Sequence, residues 1–251
     1  MSSSSARVAV VTGAGSGLGS ATALRLASDA MTVVCLDVRG DTASATAQTI
    51  TDGGGRAIAV QCDVSDEASV DSAIARAVSA YGRVDAVVNV AGIGLSSHFL
   101  DTSLEQWQRI LDINLTGTFL VAKAAVPELV RSKGCMVNVA SVAALRGWRY
   151  MAAYSASKGG IVALSRTLAV EFGREGVRVN CVCPGSIATP LAAALAPVAQ
   201  ADPALMTRGP ALLDPPVAQP AEIAASIAYL VSPEARFVTG SVMTIDGGAM
   251  A

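Results

Sequence analysis

Seven short apolar runs alternate along this chain with longer segments of helical period, and that alternation limits the fold more than any single motif. The runs fall at 7–11, 31–36, 57–61, 84–89, 135–139, 177–182 and 242–245. They are apolar almost throughout, as expected of parallel strands covered on both faces. Helices are predicted between them at 18–28, 42–50, 70–78, 104–111, 117–130, 154–172 and 221–230. Strands separated by helices cannot pair as hairpins and need crossovers, so the expected fold is α/β. We expect one doubly wound, Rossmann-like domain over 1–251, with a mostly parallel sheet of about seven strands and helices on both faces. No linker or repeat divides the chain. The stretch 190–220 is rich in Ala, Leu and Pro and breaks the rhythm. Long irregular segments in compact domains are usually functional, and a substrate lid is expected there.

The first strand runs into Thr12-Gly13-Ala14-Gly15-Ser16-Gly17-Leu18-Gly19, which opens the first helix. Glycines allow a tight turn and close approach by a pyrophosphate, and a helix N-terminus offers unpaired N–H groups to it. The spacing is Gly13-x-x-x-Gly17-x-Gly19 and not Gly-x-Gly-x-x-Gly, since Leu18 stands where the last glycine of that pattern would fall. The second strand leads to Asp37. A carboxylate there can accept hydrogen bonds from both hydroxyls of an adenosine ribose and would repel a 2′-phosphate. Arg39 lies two residues on and argues the other way, but Asp37 is better placed and Ser16 brings no cation to the loop. NAD is therefore expected over NADP. Asp37 could also be an ordinary turn carboxylate.

Two further strand ends fall at the carboxyl edge, where such sheets bind ligands. These are Cys62-Asp63-Val64 and Asn89-Val90-Ala91-Gly92. Asp63 could accept from an adenine amino group, and Gly92 would let backbone pass close to the adenosine; either could instead serve a turn. Tyr154 and Lys158 are four residues apart and so share one helix face. An ammonium beside a phenol favours the phenolate and lowers its pKa, which makes a tuned general acid/base. Tyr-x-x-x-Lys alone is common, and its weight comes from the motifs before it.

The order Asn114, Ser141, Tyr154, Lys158 after that glycine loop resembles the short-chain dehydrogenase/reductase superfamily, in its single-domain branch of about this length. The likeness runs from Thr12 to Asp246-Gly247-Gly248. It implies that Tyr154 exchanges a proton with the substrate oxygen and that Ser141 orients that oxygen. It implies that Lys158 binds the nicotinamide ribose and lowers the tyrosine pKa, and that Asn114 holds a helix irregularity and a water. Pro184-Gly185, with Ile187 and Thr189, matches the turn that holds the nicotinamide end. Two places depart from the family pattern. Val90 replaces the second Asn of Asn-Asn-Ala-Gly, and Asp214 to Gln219 lacks the Arg-x-Gly-like stretch of many relatives.

The expected activity is hydride transfer between NAD(H) and a hydrophobic or alicyclic secondary alcohol or ketone, without a metal. The substrate pocket is expected to be walled by Ala143, Leu145, Trp148, Leu191 and parts of 195–213. Two rivals are an NADPH-dependent 3-oxoacyl-thioester reductase, which Asp37 disfavours, and a non-catalytic NAD-binding sensor, which a lost Tyr or Lys would have favoured. Only 15% of residues are charged against 52% hydrophobic, and the net charge is −2. Apolar surface left over after one core is filled points to a homo-oligomer, a tetramer by preference, with 117–130 and 154–172 in one interface and 221–230 with 242–245 in another. Nothing points to nucleic acid or membrane. The residues 1–5 carry no secretory signature and read as a frayed tail. The five cysteines, 35, 62, 135, 181 and 183, form no Cys-x-x-Cys pair and suit reduced thiols in the cytoplasm. His98, the single histidine, argues against His-based triads and metal sites and is expected to be a loop residue without chemistry.

Overall fold

A computed structural model describes residues 6–193, 195, 198–206 and 211–251. The expected tail at 1–5, and the lid positions 194, 196, 197 and 207–210, lie outside these residues. In chain order the elements are β1 (Val8–Thr12), α1 (Gly17–Ser28), β2 (Thr32–Asp37), α2 (Gly40–Asp52), β3 (Arg56–Gln61), α3 (Glu67–Tyr81) and β4 (Ala86–Asn89). There follow α4 (Leu104–Leu111), α5 (Gly117–Ser132), β5 (Cys135–Val139), α6 (Ala152–Phe172) and β6 (Arg178–Pro184). The chain ends with the short α7 (Pro190–Ala193) and α8 (Pro203–Met206), then α9 (Pro220–Val231) and β7 (Val242–Ile245).

The strands form one seven-stranded sheet in the order β3-β2-β1-β4-β5-β6-β7, with every pairing parallel. The expected Rossmann-like architecture is therefore present. The chain winds outward from β1 to β3 and then returns to lay β4 against the free side of β1. The strand order reverses at that junction, so the crossovers diverge and leave a crevice above the carboxyl ends of β1 and β4.

Period-2 alternation divides the core into two layers. On β1, Ala9 and Val11 face a cluster that includes Leu26 of α1, Ile50 of α2, and Ile223 and Ile227 of α9. Val8 and Val10 face the opposite cluster with Ile74 of α3 and Leu129 of α5. Each fully buried Leu or Ile contributes about 1.5–3 kcal/mol. The edges differ from the expected all-apolar pattern: Arg56 and Gln61 at the ends of β3 are exposed, and β7 is only half-buried. One strand edge of each faces no neighbour, so full burial there has nothing to act against.

α4 starts with a reciprocal cap, in which the Gln106 N–H donates to Ser103 Oγ and the Ser103 N–H donates to Gln106 Oε1. The sequence predicts two separate helices over 104–111 and 117–130. The structure joins them through a π-helical turn, Asp112–Thr116. The resulting stretch Leu104–Ser132 contains an 18-residue segment with the mean hydropathy, 1.3, of a candidate membrane span, and half of that segment is buried inside the protein. Its apolar side packs on the sheet and α3.

Asp85, just ahead of β4, is 3% exposed and accepts from the Val8 N–H at 2.8 Å and from Arg83 Nε at 2.8 Å. It ties the starts of β1 and β4 together below the crevice. Asp85→Ala is expected to cost about 1–3 kcal/mol, because it strands the buried Val8 N–H. Urea unfolding should show a lower midpoint at constant slope; an unmoved midpoint would refute the tie.

Candidate active site

The crevice at the β1/β4 reversal is a cavity of about 880 Å³. Its floor is set by the Thr12 hydroxyl, which accepts from the Val90 N–H at 3.0 Å and the Ala91 N–H at 3.1 Å. Gly13 then turns at φ +65°, with space for no side chain: a Cβ there would sit 3.0 Å from Ala91 Cα. A Cβ on Gly19 would drive into the Gly13 carbonyl. Ser16 precedes α1 in an extended conformation and no side chain caps the helix, so its first N–H groups stay open to a phosphate.

Asp37 lines the cavity at the end of β2 and is 8% exposed. Its Oδ2 accepts from the Gly15 N–H at 2.9 Å and its Oδ1 from the Arg39 N–H at 3.0 Å. The carboxylate is thus fixed against the glycine turn with lone pairs left over. Asp63 is held below the usual carboxylate range by its bonds from the Ser65 hydroxyl and N–H.

At the other end of the cavity stand Ser141, Tyr154 and Lys158. Ser141 follows β5, and its Oγ accepts from the Ala143 N–H at 3.1 Å and hydrogen-bonds the Tyr154 phenol. Burial pushes the Tyr154 pKa above its ordinary value, and the Ser141 bond opposes that. The expected depression by Lys158 is not what this geometry gives. The lysine Nζ lies 5.6 Å from the centroid of the tyrosine ring and donates instead to the Val139 carbonyl at 2.8 Å. Burial lowers the Lys158 pKa from 10.5 to about 8, with Cys181 and Cys183 opposing.

Asn114 stands in the π-helical turn and is wholly buried. Its Oδ1 accepts from the Ile93 N–H at 2.8 Å, while Nδ2 donates to the Ile93 carbonyl at 3.0 Å and to Ser157 Oγ at 3.1 Å. It therefore pins the exit of β4 to α6 from beneath the cavity and does not line it. The extra residue of the π turn frees backbone and aims this side chain inward.

The cavity brings together Gly13, Ser16, Gly17, Leu18, Gly19, Asp37, Cys62, Asp63, Val64, Ala91, Gly92, Pro184, Gly185, Ile187 and Thr189 with the Ser141, Tyr154 and Lys158 group. Asn89, like Asn114, does not line it. It lies under the floor and donates to Asn138 Oδ1 of β5 at 2.8 Å. Of the expected substrate wall, Ala143, Trp148, Leu191 and Leu195 line the cavity, while Leu145 is largely exposed. Ile93, Met151, Ile113 and Arg109 also line it without having been anticipated. Arg109 and Ile113 are four residues apart and share one helix face, which no sequence motif marks.

Residues 13–250 match the family model described as enoyl-(acyl carrier protein) reductase. The chain belongs to the short-chain dehydrogenase/reductase superfamily. It is 40% identical over 248 residues to a cis-4-hydroxycyclohexanecarboxylate dehydrogenase of Sinomonas cyclohexanicum, covering 96% of each chain. It is 39% identical over 251 residues to a 3-oxoacyl-[acyl-carrier-protein] reductase of Synechocystis, covering 99% of this chain and 98% of that protein. A short-chain dehydrogenase from Mycobacterium paratuberculosis bound to NAD superposes with a TM-score of 0.90 at 29% identity, covering 97% of each chain. The family fixes an oxidoreductase that binds a nicotinamide cofactor. Relatives named for such different substrates match the chain over nearly its whole length, so membership leaves the substrate open.

Holding Lys158 buried has a stability consequence that pH can expose. Between about 8 and 10.5 the unfolded chain binds more protons at this lysine than the folded one, so stability rises with pH across that window. Below it, the folded protein bears the full cost of a desolvated ammonium. Lys158→Met should therefore raise the urea midpoint of the cofactor-free protein at pH 7, and the gain should shrink towards pH 10. A less stable variant at pH 7 would contradict the desolvation argument.

Proposed function

We propose that the protein is an NAD(H)-dependent dehydrogenase of hydrophobic or alicyclic secondary alcohols, or the corresponding ketone reductase, with 1–251 acting as one domain. The observation that carries the reading is the shared cavity. It has Asp37 and the glycine turn at one end and the Ser141, Tyr154 and Lys158 group at the other. A bound nicotinamide dinucleotide would supply or accept the hydride. Gly13, Ser16, Gly17, Leu18 and Gly19 would receive its pyrophosphate, and Val64, Ala91 and Gly92 its adenosine. Lys158 would meet the nicotinamide ribose. Pro184, Gly185, Ile187 and Thr189 would hold the nicotinamide end.

The proton steps belong to this chain. Ser141 donates to the substrate oxygen and holds it at Tyr154, whose hydroxyl gives or takes the proton. Burial keeps that phenol protonated at neutral pH, which suits it as the acid in ketone reduction. Lys158, with its pKa near 8, is poised to refill it. The pocket beyond Ser141 is walled by Ile93, Ala143, Trp148, Met151, Leu191 and Leu195 and favours an apolar, compact substrate body. Among relatives, the hydroxycyclohexanecarboxylate dehydrogenase supports an alicyclic alcohol. The 3-oxoacyl reductase keeps an acyl thioester as the second reading.

A homo-oligomer, preferably a tetramer, is part of the proposal. Val170 on α6 is 84% exposed and Phe237 before β7 is 94% exposed. Burying such side chains between copies would remove apolar surface from water. The five cysteines are all free and buried, which supports a reducing, cytoplasmic setting.

Tyr154→Phe is expected to lower kcat by about 10²- to 10⁴-fold, the usual worth of a positioned general acid. NADH affinity should stay within about twofold, since only the proton-carrying hydroxyl is removed. Turnover near wild type on an alcohol panel followed at the NADH band would refute the assignment. Asp37→Ala should lower the NAD over NADP preference in kcat/KM by about 10- to 100-fold, through lost charged hydrogen bonds and lost repulsion of a 2′-phosphate. Wild-type enzyme that already uses both cofactors equally would overturn the choice of NAD.

A further inference from the structure

His98 and Tyr150 come from different loops and meet next to Met151, which lines the substrate end of the cavity. Their rings pack edge to face with centroids 4.9 Å apart and planes at 74°. The Ser97 N–H donates to the Tyr150 carbonyl at 2.8 Å, which joins the two loops directly. Tyr150 is held at φ +59°, a left-handed conformation that a bulky aromatic residue rarely adopts. The His98 carbonyl is anchored in turn, accepting from the Thr102 hydroxyl and the Asp101 N–H, each at 3.1 Å. Both rings then reach one segment of the lid. His98 Nε2 lies 2.8 Å from the Ala199 carbonyl, and the Asp202 N–H donates to the Tyr150 hydroxyl at 2.8 Å. A carbonyl can only accept, so this contact fixes the proton on Nε2.

The lid also touches the floor. A Cβ on Gly94 would come within 2.9 Å of Leu195 Cδ2 and 3.5 Å of Leu191 Cδ2. Both leucines line the cavity. Leu191 and Leu195 therefore lie directly on the loop after β4, while Ala199 and Asp202 of the same stretch are tied by His98 and Tyr150.

We propose that His98 and Tyr150 form a two-point latch that holds the lid shut over bound substrate, and that they are positioning residues for substrate recognition. This rests on the dehydrogenase reading, in which the cavity under the lid receives the alcohol. Neither residue touches the reacting atoms. Their effect passes through Leu191 and Leu195, which they hold against the substrate body.

Hydrogen exchange on the full-length protein tests the latch without turnover. Ala201 and Leu205 donate within the lid, to the Val198 and Asp202 carbonyls. If the lid opens as a unit, their exchange should quicken by about threefold to tenfold in both His98→Ala and Tyr150→Phe, the usual worth of one hydrogen bond. His98→Gln keeps an N–H donor and should restore exchange to near wild type. Amides of β1 and β4 should not change. With an alicyclic alcohol, KM should rise by about the same factor in the two latch-breaking variants, at unchanged NADH affinity. Exchange confined to Asp202, or spread into the sheet, overturns the latch. Faster lid exchange with an unchanged KM overturns its link to substrate. A wild-type protein without turnover on any alcohol would remove the dehydrogenase reading, while the exchange result would still decide the latch.

Discussion

The hydroxyl of Thr12, accepting from two consecutive N–H groups of the β4 exit, is the joint on which the site depends. Parallel strands end with donors and acceptors that the next strand does not satisfy, and at a reversal of strand order no crossover covers them. Here one side chain of β1 satisfies both donors that follow β4. The distance between the glycine turn and Ala91 is fixed as a result. Gly13 packs on that backbone so closely that even a methyl group would be in tight contact. The cavity opens above this joint.

Asn114 performs the matching task at the catalytic end. Its amide spans Ile93 and Ser157, and the Ser157 hydroxyl itself donates to the Tyr154 carbonyl at 2.7 Å. The loop after β4 and the first turn of α6 therefore cannot move apart without breaking buried hydrogen bonds. Such networks are costly to leave half satisfied. That cost gives Tyr154 and Lys158 a fixed position relative to the glycine turn, although they lie far from it in sequence.

Much of this was legible before any coordinates. The seven strands and their helices follow from apolar runs and helical period, because burial on both faces leaves few other patterns for a parallel sheet. The glycine turn and Asp37 were legible because steric demand and charge are local properties. The π turn was not readable from periodicity: an extra backbone residue changes the period only over one turn. Asn89 was misplaced because strand-end position does not say which face a side chain takes, and here it faces Asn138. His98 was set aside as a loop residue. Its hydrogen-bond partner Ala199 lies 101 residues on, and only the fold brings the two together. Lys158 was expected to act on Tyr154 by charge. The sequence shows the spacing of that pair but not how deeply the protein encloses it.

That enclosure shapes the chemistry. An ammonium placed in water next to a phenol would stay protonated and lower the phenol's pKa, yet burial drives both groups towards their neutral forms. With the Lys158 proton held near pH 8, loss of one proton from the pair costs little near neutrality. A group that always kept its proton could not refill Tyr154 after each turnover, and one that never held it would have no proton to give. Burial, which raises the cost of folding at this position, is therefore also what would bring the proposed relay into the range where it can work in both directions. Such an enclosure needs a way in for substrate, and the proposed lid with its anchors at His98 and Tyr150 would provide it.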